Sequence, residues 1–216
     1  DGSGGFTASD ISGDTGNSHG AVMGDVNNDG ALDIYVANYS GEQNNLWLGD
    51  GIGGFTASDI TGDTGSSRSA VMGDVNNDGA LDIYVANDNG QNNLWINDGS
   101  GSFTASDISG DTGNSRSAVM GDVNNDGALD IYVANYLGAQ NKLWMGDGSG
   151  GFTASDITGD LGSSIDAVMG DVNNDGTLDI YVADSNDQNK LWINNGSGGF
   201  TASDISGDAG YSYGAV

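Results

Sequence analysis

The stretch DVNNDGALD at residues 25–33 limits what this chain can fold into more than any other feature, because it is written four times. It returns unchanged at 74–82 and 122–130, and as DVNNDGTLD at 171–179. Oxygen-bearing side chains fall at loop positions 1, 3, 5 and 9. They are Asp25, Asn27, Asp29 and Asp33 in the first copy, and Asp74, Asn76, Asp78 and Asp82 in the second. The third copy has Asp122, Asn124, Asp126 and Asp130, the fourth Asp171, Asn173, Asp175 and Asp179. Glycine at position 6 allows a sharp turn, and position 7 (Ala31, Ala80, Ala128, Thr177) adds a main-chain carbonyl. Three carboxylates, one amide oxygen and one carbonyl form the all-oxygen shell that Ca²⁺ takes, whereas Mg²⁺ demands stricter geometry. An Asx-rich turn would account for one such stretch. Four copies, each crowding three like charges, require a neutralising cation. An EF-hand does not fit, since position 12, where that loop needs Glu, is Val36, Val85, Val133 or Val182.

A second regularity surrounds the first. Phenylalanines stand at 6, 55, 103, 152 and 200, and Leu-Trp pairs at 46–47, 94–95, 143–144 and 191–192, so the spacing alternates between 49 and 48 residues. Periods of this size mark propellers or stacked arrays. The repeats run 1–49, 50–97, 98–146 and 147–194, with a partial fifth at 195–216. Repeats one and three share ISGDTGN and LWLGD or LWMGD, while two and four share ITGD and LWIN. The unit duplicated last was therefore a pair, which favours an even number of units in a complete assembly, or an open array.

Each repeat reads as four strands, in the second repeat 70–75, 82–87, 93–97 and 103–108, separated by Gly- and Asx-rich turns. Ile83, Tyr84, Val85 and Ala86 are apolar on both alternating faces, so their sheet needs cover on both sides. Blades packed face to face supply it. The repeated Tyr35, Tyr84, Tyr132 and Tyr181, with Trp47, Trp95, Trp144 and Trp192, are then inter-blade core rather than an aromatic ligand cage. With 39 glycines and no proline, the chain suits many tight turns between paired strands. It has no cysteine, so calcium is the one visible staple. Neither a long apolar run nor a charged-then-apolar leader occurs in these residues.

The net charge of -27 makes nucleic acid and anionic membranes poor partners. Four bound Ca²⁺ would still leave the chain strongly acidic. Such a composition suits a medium where free calcium is high enough to fill sites with dissociation constants of roughly 10⁻⁴ to 10⁻³ M.

The loop D-x-N-x-D-G-x-x-D followed by DIYVAN, with the Gly-Asp-Gly turn before GGF, resembles the FG-GAP or VCBS repeats of integrin alpha-chain propellers and of secreted bacterial proteins. The resemblance covers the whole chain. It implies an all-β propeller-type array of four-stranded antiparallel blades, with a structural Ca²⁺ loop between the first and second strands of each. Integrin-like propellers have seven blades, and four and a half units are present here. A four-bladed ring started at Phe6 would be complete by about residue 194, which favours a window on a longer array or blades completed by copies of the same chain.

In an up-and-down blade the calcium loops and the GDGSGG-type turns share one face, while the segments in which the copies differ share the other. His19, Arg68, Arg116, Ile165 and Tyr213 are equivalent, as are Tyr39 and Tyr136, and Tyr211 stands beside Tyr213. The differences are either drift on unconstrained loops or a contact face. Tyr39, Arg68, Arg116, Tyr136, Tyr211 and Tyr213 are the candidate partner contacts, for protein, glycan or another copy of the chain. No catalytic constellation is visible: His19 and Glu42 are each single, and the acids of the SDI-x-GD motif, such as Asp59 and Asp63, recur in every unit as turn caps or a weak second calcium shell would. Sequons stand at Asn38 and Asn195, the first in a variable and therefore accessible loop. The expected protein is a non-enzymatic, calcium-stabilised extracellular scaffold for structure, adhesion or self-assembly, with a lectin-like binding module as the alternative.

Overall fold

The computed structural model describes residues 8–208 and 210–215, so Phe6 and Val216 lie outside the described residues. The described residues contain no helix, and four blades follow one another. First strands are Ser18–Gly24, Ser67–Gly73, Thr112–Gly121 and Ser164–Gly170; second strands are Asp33–Asn38, Asp82–Gln91, Asp130–Asn135 and Asp179–Asp184. Third strands are Asn45–Gly49, Asn93–Asn97, Lys142–Gly146 and Lys190–Asn194, and fourth strands are Phe55–Ala57, Phe103–Ala105, Phe152–Ala154 and Phe200–Ala202. Within each blade the pairings are antiparallel, in the order first, second, third, fourth, and the first strand of the third blade also pairs antiparallel with the end of the second blade's second strand, Thr112 with Gln91 and Asn114 with Asp88.

Three strands of the second blade differ from the sequence expectation, the second strand running on from Asn87 to Gln91, where it pairs with the next blade's first strand. The first strand of the second blade begins at Ser67 and stops at Gly73, because Asp74 already turns into the loop and its carboxylate caps it. The fourth strand ends at Ala105, because the Leu94 N–H that would extend the ladder is taken by the Asp107 carboxylate at 3.0 Å.

The apolar second strands are covered on both sides. Ile83, Tyr84, Val85 and Ala86 are fully buried. They contribute alternately to two inter-blade cores: Ile83 and Val85 meet Val26, Tyr35 and Leu46 of the first blade, while Tyr84 and Ala86 meet Ile131, Val133 and Trp144 of the third. The joint between the third and fourth blades repeats the same residues. The alternation of a β-strand thus supplies one face to each neighbour. The first strands pack consecutively against one another, first to second, second to third, third to fourth.

Candidate metal centre and variable face

Each loop is held by its own acids. In the second copy the Asp74 carboxylate accepts N–H bonds from Asp78 at 3.0 Å and Gly79 at 2.8 Å, drawing the loop into a ring. Asn76 Oδ1 accepts the Asp78 N–H at 3.0 Å while its amide donates to Asp78 Oδ2 at 2.8 Å. Asn77 at position 4 and Gly79 at position 6 both take positive φ, 58° and 89°. Asn tolerates the left-handed region and Gly occupies it freely, so the NDG triplet fits the turn. The other three loops repeat these bonds.

The position-9 acid has a second role. Asp82 is fully buried, and its two oxygens accept the N–H groups of Val75 at 2.9 Å and Asn97 at 2.8 Å, clipping the loop to the third strand. Burial pushes its carboxyl above the usual range, the two N–H bonds oppose this, and the nearby Asp78 and Asp74 charges raise it further. Asp130 shows the same balance, with Asp126 and Asp122 as its like-charged neighbours. Asp33 and Asp179 make the equivalent clips.

Among the described residues, no three Asp, Glu, His or Cys side chains stand in ready metal-holding geometry, the loop carboxylates being turned to main-chain N–H groups. The donor set nevertheless fits a hard cation. Every group is an oxygen, each carboxylate oxygen keeps acceptor capacity beyond one N–H bond, and no described cation neutralises a loop. The ion pairs of Arg68, Arg116, Lys142 and Lys190 go to Asp88, Asp156 and Asp204, all outside the loops.

The SDI-x-GD acids serve as structural ties. Asp63, Asp111 and Asp160 are 1% exposed, and each takes two donors. Tyr35, Tyr84 and Tyr132 donate their phenols to these acids, the last two at 2.5 and 2.6 Å, and Asn44, Asn92 and Asn141 donate at 3.0 Å. Asp208 closes on Tyr181 and Asn189 in the same way. Burial raises the carboxyls of Asp63, Asp111 and Asp160, and the phenol and amide donors oppose it; Tyr35 and Tyr84 are held far above the ordinary phenol value, chiefly by burial. The indole N–H of Trp95 faces Asp63 and favours its ionised form without completing a hydrogen bond. The signal in the sequence was the fixed spacing of Tyr, Asn and Asp, which recur together. The first acid of the motif anchors the third strand: Asp59, Asp107 and Asp156 accept the N–H of Leu46, Leu94 and Leu143.

On the opposite face four of the six candidate contacts converge. The Arg68 guanidinium lies 3.8 Å from the centroid of Tyr39, and Arg116 lies 4.6 Å from that of Tyr136. Both arginines pair with Asp88, at 2.8 and 3.2 Å. His19 lies beside Tyr39, with its Nδ1 3.0 Å from Arg68 Nη1; partial burial and then the two arginine charges lower its pKa, Asp88 opposing them. Tyr211 and Tyr213 sit on the segment beyond the fourth blade, 75% and 78% exposed. Asn38 is not an accessible sequon: it is 1% exposed, with its amide donated to Gln43 and Asn45. Asn195 is exposed, its Oδ1 capping the last turn through Ser197 and Gly199.

The sequence matches the family described as FG-GAP-like repeat four times, over residues 25–85, 74–133, 122–182 and 171–216. Comparison with curated proteins gives no significant match. Among solved structures the chain is similar to the V. cholerae biofilm matrix protein Bap1, with a TM-score of 0.54 and 16% identity over 90% of this chain and 32% of Bap1. It also aligns with the Photorhabdus luminescens Tc holotoxin pore, with a TM-score of 0.43 and 16% identity over 92% of this chain and 10% of that one. The chain thus spans about a third of the length of Bap1. The likeness to Bap1 is one of fold.

Proposed function

The chain belongs to the FG-GAP-like repeat family, and from that premise we propose that it is a non-enzymatic, calcium-stabilised extracellular scaffold whose blades serve structure or adhesion. One observation carries the reading: each of the four loops holds two carboxylates on a self-bonded ring beside a third, buried acid, with no described Lys or Arg paired to them. Asp25, Asn27, Asp29, Asp33 and the Ala31 carbonyl, with their counterparts in the other loops, would hold the ion. Bound Ca²⁺ would supply charge neutralisation and rigidity. The lone His and Glu are engaged: His19 with Arg68, and Glu42 with the Asn17 N–H at 2.9 Å.

At a free calcium about tenfold above its dissociation constant, each filled loop adds roughly 1.4 kcal/mol. Four loops add about 5 to 6, comparable with the whole stability of a domain. Thermal melts in millimolar calcium and in excess chelator test this. The reading requires a large fall in Tm on chelation, and overlapping melts would remove its basis.

A second reading, a protein- or glycan-binding rim, is supported by the half-exposed Tyr39 and Tyr136 rings, each with an arginine guanidinium over it. Replacing both with Ala should leave the calcium-dependent melt intact and abolish retention on a glycan array. Unchanged retention would reject the rim as the site.

A further inference from the structure

The joints between the described blades are not alike, and the difference falls on the acidic loops. Asn97 closes the third strand of the second blade and is 1% exposed. Its amide donates to the Val26 carbonyl of the first blade at 2.7 Å and to the Leu81 carbonyl of its own blade at 3.0 Å. Val26 is position 2 of the first loop, between Asp25 and Asn27, and Leu81 is position 8 of the second, next to Asp82. The main-chain N–H of Asn97 goes to the Asp82 carboxylate at 2.8 Å, and its Oδ1 accepts the Gly99 N–H at 3.1 Å. One buried side chain thus ties two loops, with both amide hydrogens engaged.

Asn194 makes the same tie between the third and fourth loops. It is 2% exposed and donates to the Val123 carbonyl at 2.6 Å and the Leu178 carbonyl at 2.9 Å, with its own N–H on Asp179 at 2.9 Å. At the joint between the second and third blades the equivalent residue is Gly146. Its N–H keeps the bond to Asp130 at 2.9 Å, but it has no side chain to reach the second loop. A Cβ there would stand 2.2 Å from the Leu129 carbonyl oxygen, so the backbone has closed over the space that an amide would need. Asn28 and Asn77 reach the turn of the following blade at 3.2 and 3.4 Å, a contact common to the first and second joints that does not distinguish them. The alternation of LWIN with LWMGD in the sequence is therefore, in space, the presence or absence of a loop-to-loop tie.

We infer that Asn97 and Asn194 are positioning residues that couple the cation loops in pairs, the first with the second and the third with the fourth, while the second and third lack that coupling. The inference deepens the calcium reading and rests on it. The Val26 peptide lies between two donors of the first loop, so filling that loop holds its carbonyl in place. Through Asn97 the same event holds the peptide that precedes Asp82, and the second loop then has less conformational freedom to give up when it fills. The effect is reciprocal by linkage. Repulsion between neighbouring loops acts at every joint and does not by itself separate tied joints from untied ones.

Amide NMR of the 216-residue chain during calcium titration tests the inference, because the position-6 glycines Gly30, Gly79, Gly127 and Gly176 report one loop each. Asp29→Ala and Asp126→Ala disable the first and third loops; both acids are exposed and bond only within their own loops, so the fold is kept. Asp29→Ala is expected to weaken calcium binding at Gly79 by about fivefold or more. Asp126→Ala should do the same at Gly176 and leave Gly79 unchanged. In Asn97→Gly the Gly79 response no longer depends on Asp29, while the pair tied by Asn194 stays coupled. Asn97 is buried and its loss weakens the joint, so the Asp29 and Asp126 variants, which keep it, carry the test on their own. A Gly79 isotherm that shifts equally in both variants, or in neither, would overturn the inference. Glycine signals that calcium does not move at all would instead remove the reading beneath it.

Discussion

Asp82 and Asp78 sit four residues apart in one loop and do different work. Asp82 is buried and satisfies two main-chain donors, Val75 and Asn97, so it belongs to the fold whatever occupies the loop. Asp78 is exposed and bonds only within the loop, to Asn76 and Ala80. Removing a buried acceptor strands its donors at about 1 to 3 kcal/mol each. Asp82→Ala is accordingly expected to cost roughly 3 kcal/mol even in chelator. Asp78→Ala should cost under about 1 kcal/mol there, and add about 1.4 kcal/mol more once calcium is present. Urea titrations of both variants with and without calcium separate the two roles. Equal costs for Asp78→Ala in the two conditions would mean that its carboxylate does not serve a cation.

At the scale of elements, the linker between blades is tied to the blade before it by a buried phenol–carboxylate–amide set: Tyr84, Asp111 and Asn92 at the second joint. Burial raises the native carboxyls of Asp63, Asp111 and Asp160 above the ordinary value of 3.8. The native state then holds these protons more tightly than the unfolded chain, so their contribution is full below 3.8 and is lost as pH rises through the raised native values. Exposed acids that cap turns, Asp50, Asp98 and Asp147, are lowered instead by backbone and Ser donors, and lose their contribution only as pH falls through values below 3.8. In chelator, acidifying from neutrality into the range of the raised native values should therefore raise the urea midpoint. Asp111→Asn should reduce the gain. A midpoint that falls in that window would contradict the assignment.

These ties also show what was legible beforehand. The blades were readable because DIYVAN is apolar on both faces of a strand, and the loop because its oxygens keep fixed spacing. The role of Asp63 was not, since its partner Tyr35 lies 28 residues away in sequence and meets it only after the linker crosses the blade end. Asn38 misled for a related reason. Position in a variable loop suggested exposure, while its amide is claimed by Gln43 and Asn45.

The whole molecule is a row of near-identical acidic units whose cohesion is chiefly apolar and whose 31 acids far outnumber its four Lys and Arg. Inter-blade cores built from Tyr, Leu, Ile, Val and Trp hold neighbours together, while a net charge of -27 works against any compact form. Divalent ions at four loops would relieve that repulsion where it is densest. The direct measurement is calorimetric titration of calcium into protein stripped with chelator, with direct counting of bound ions. About four ions per chain, with dissociation constants in the range of roughly 10⁻⁴ to 10⁻³ M or tighter, are predicted. Loops that stay vacant at saturating calcium would contradict the account.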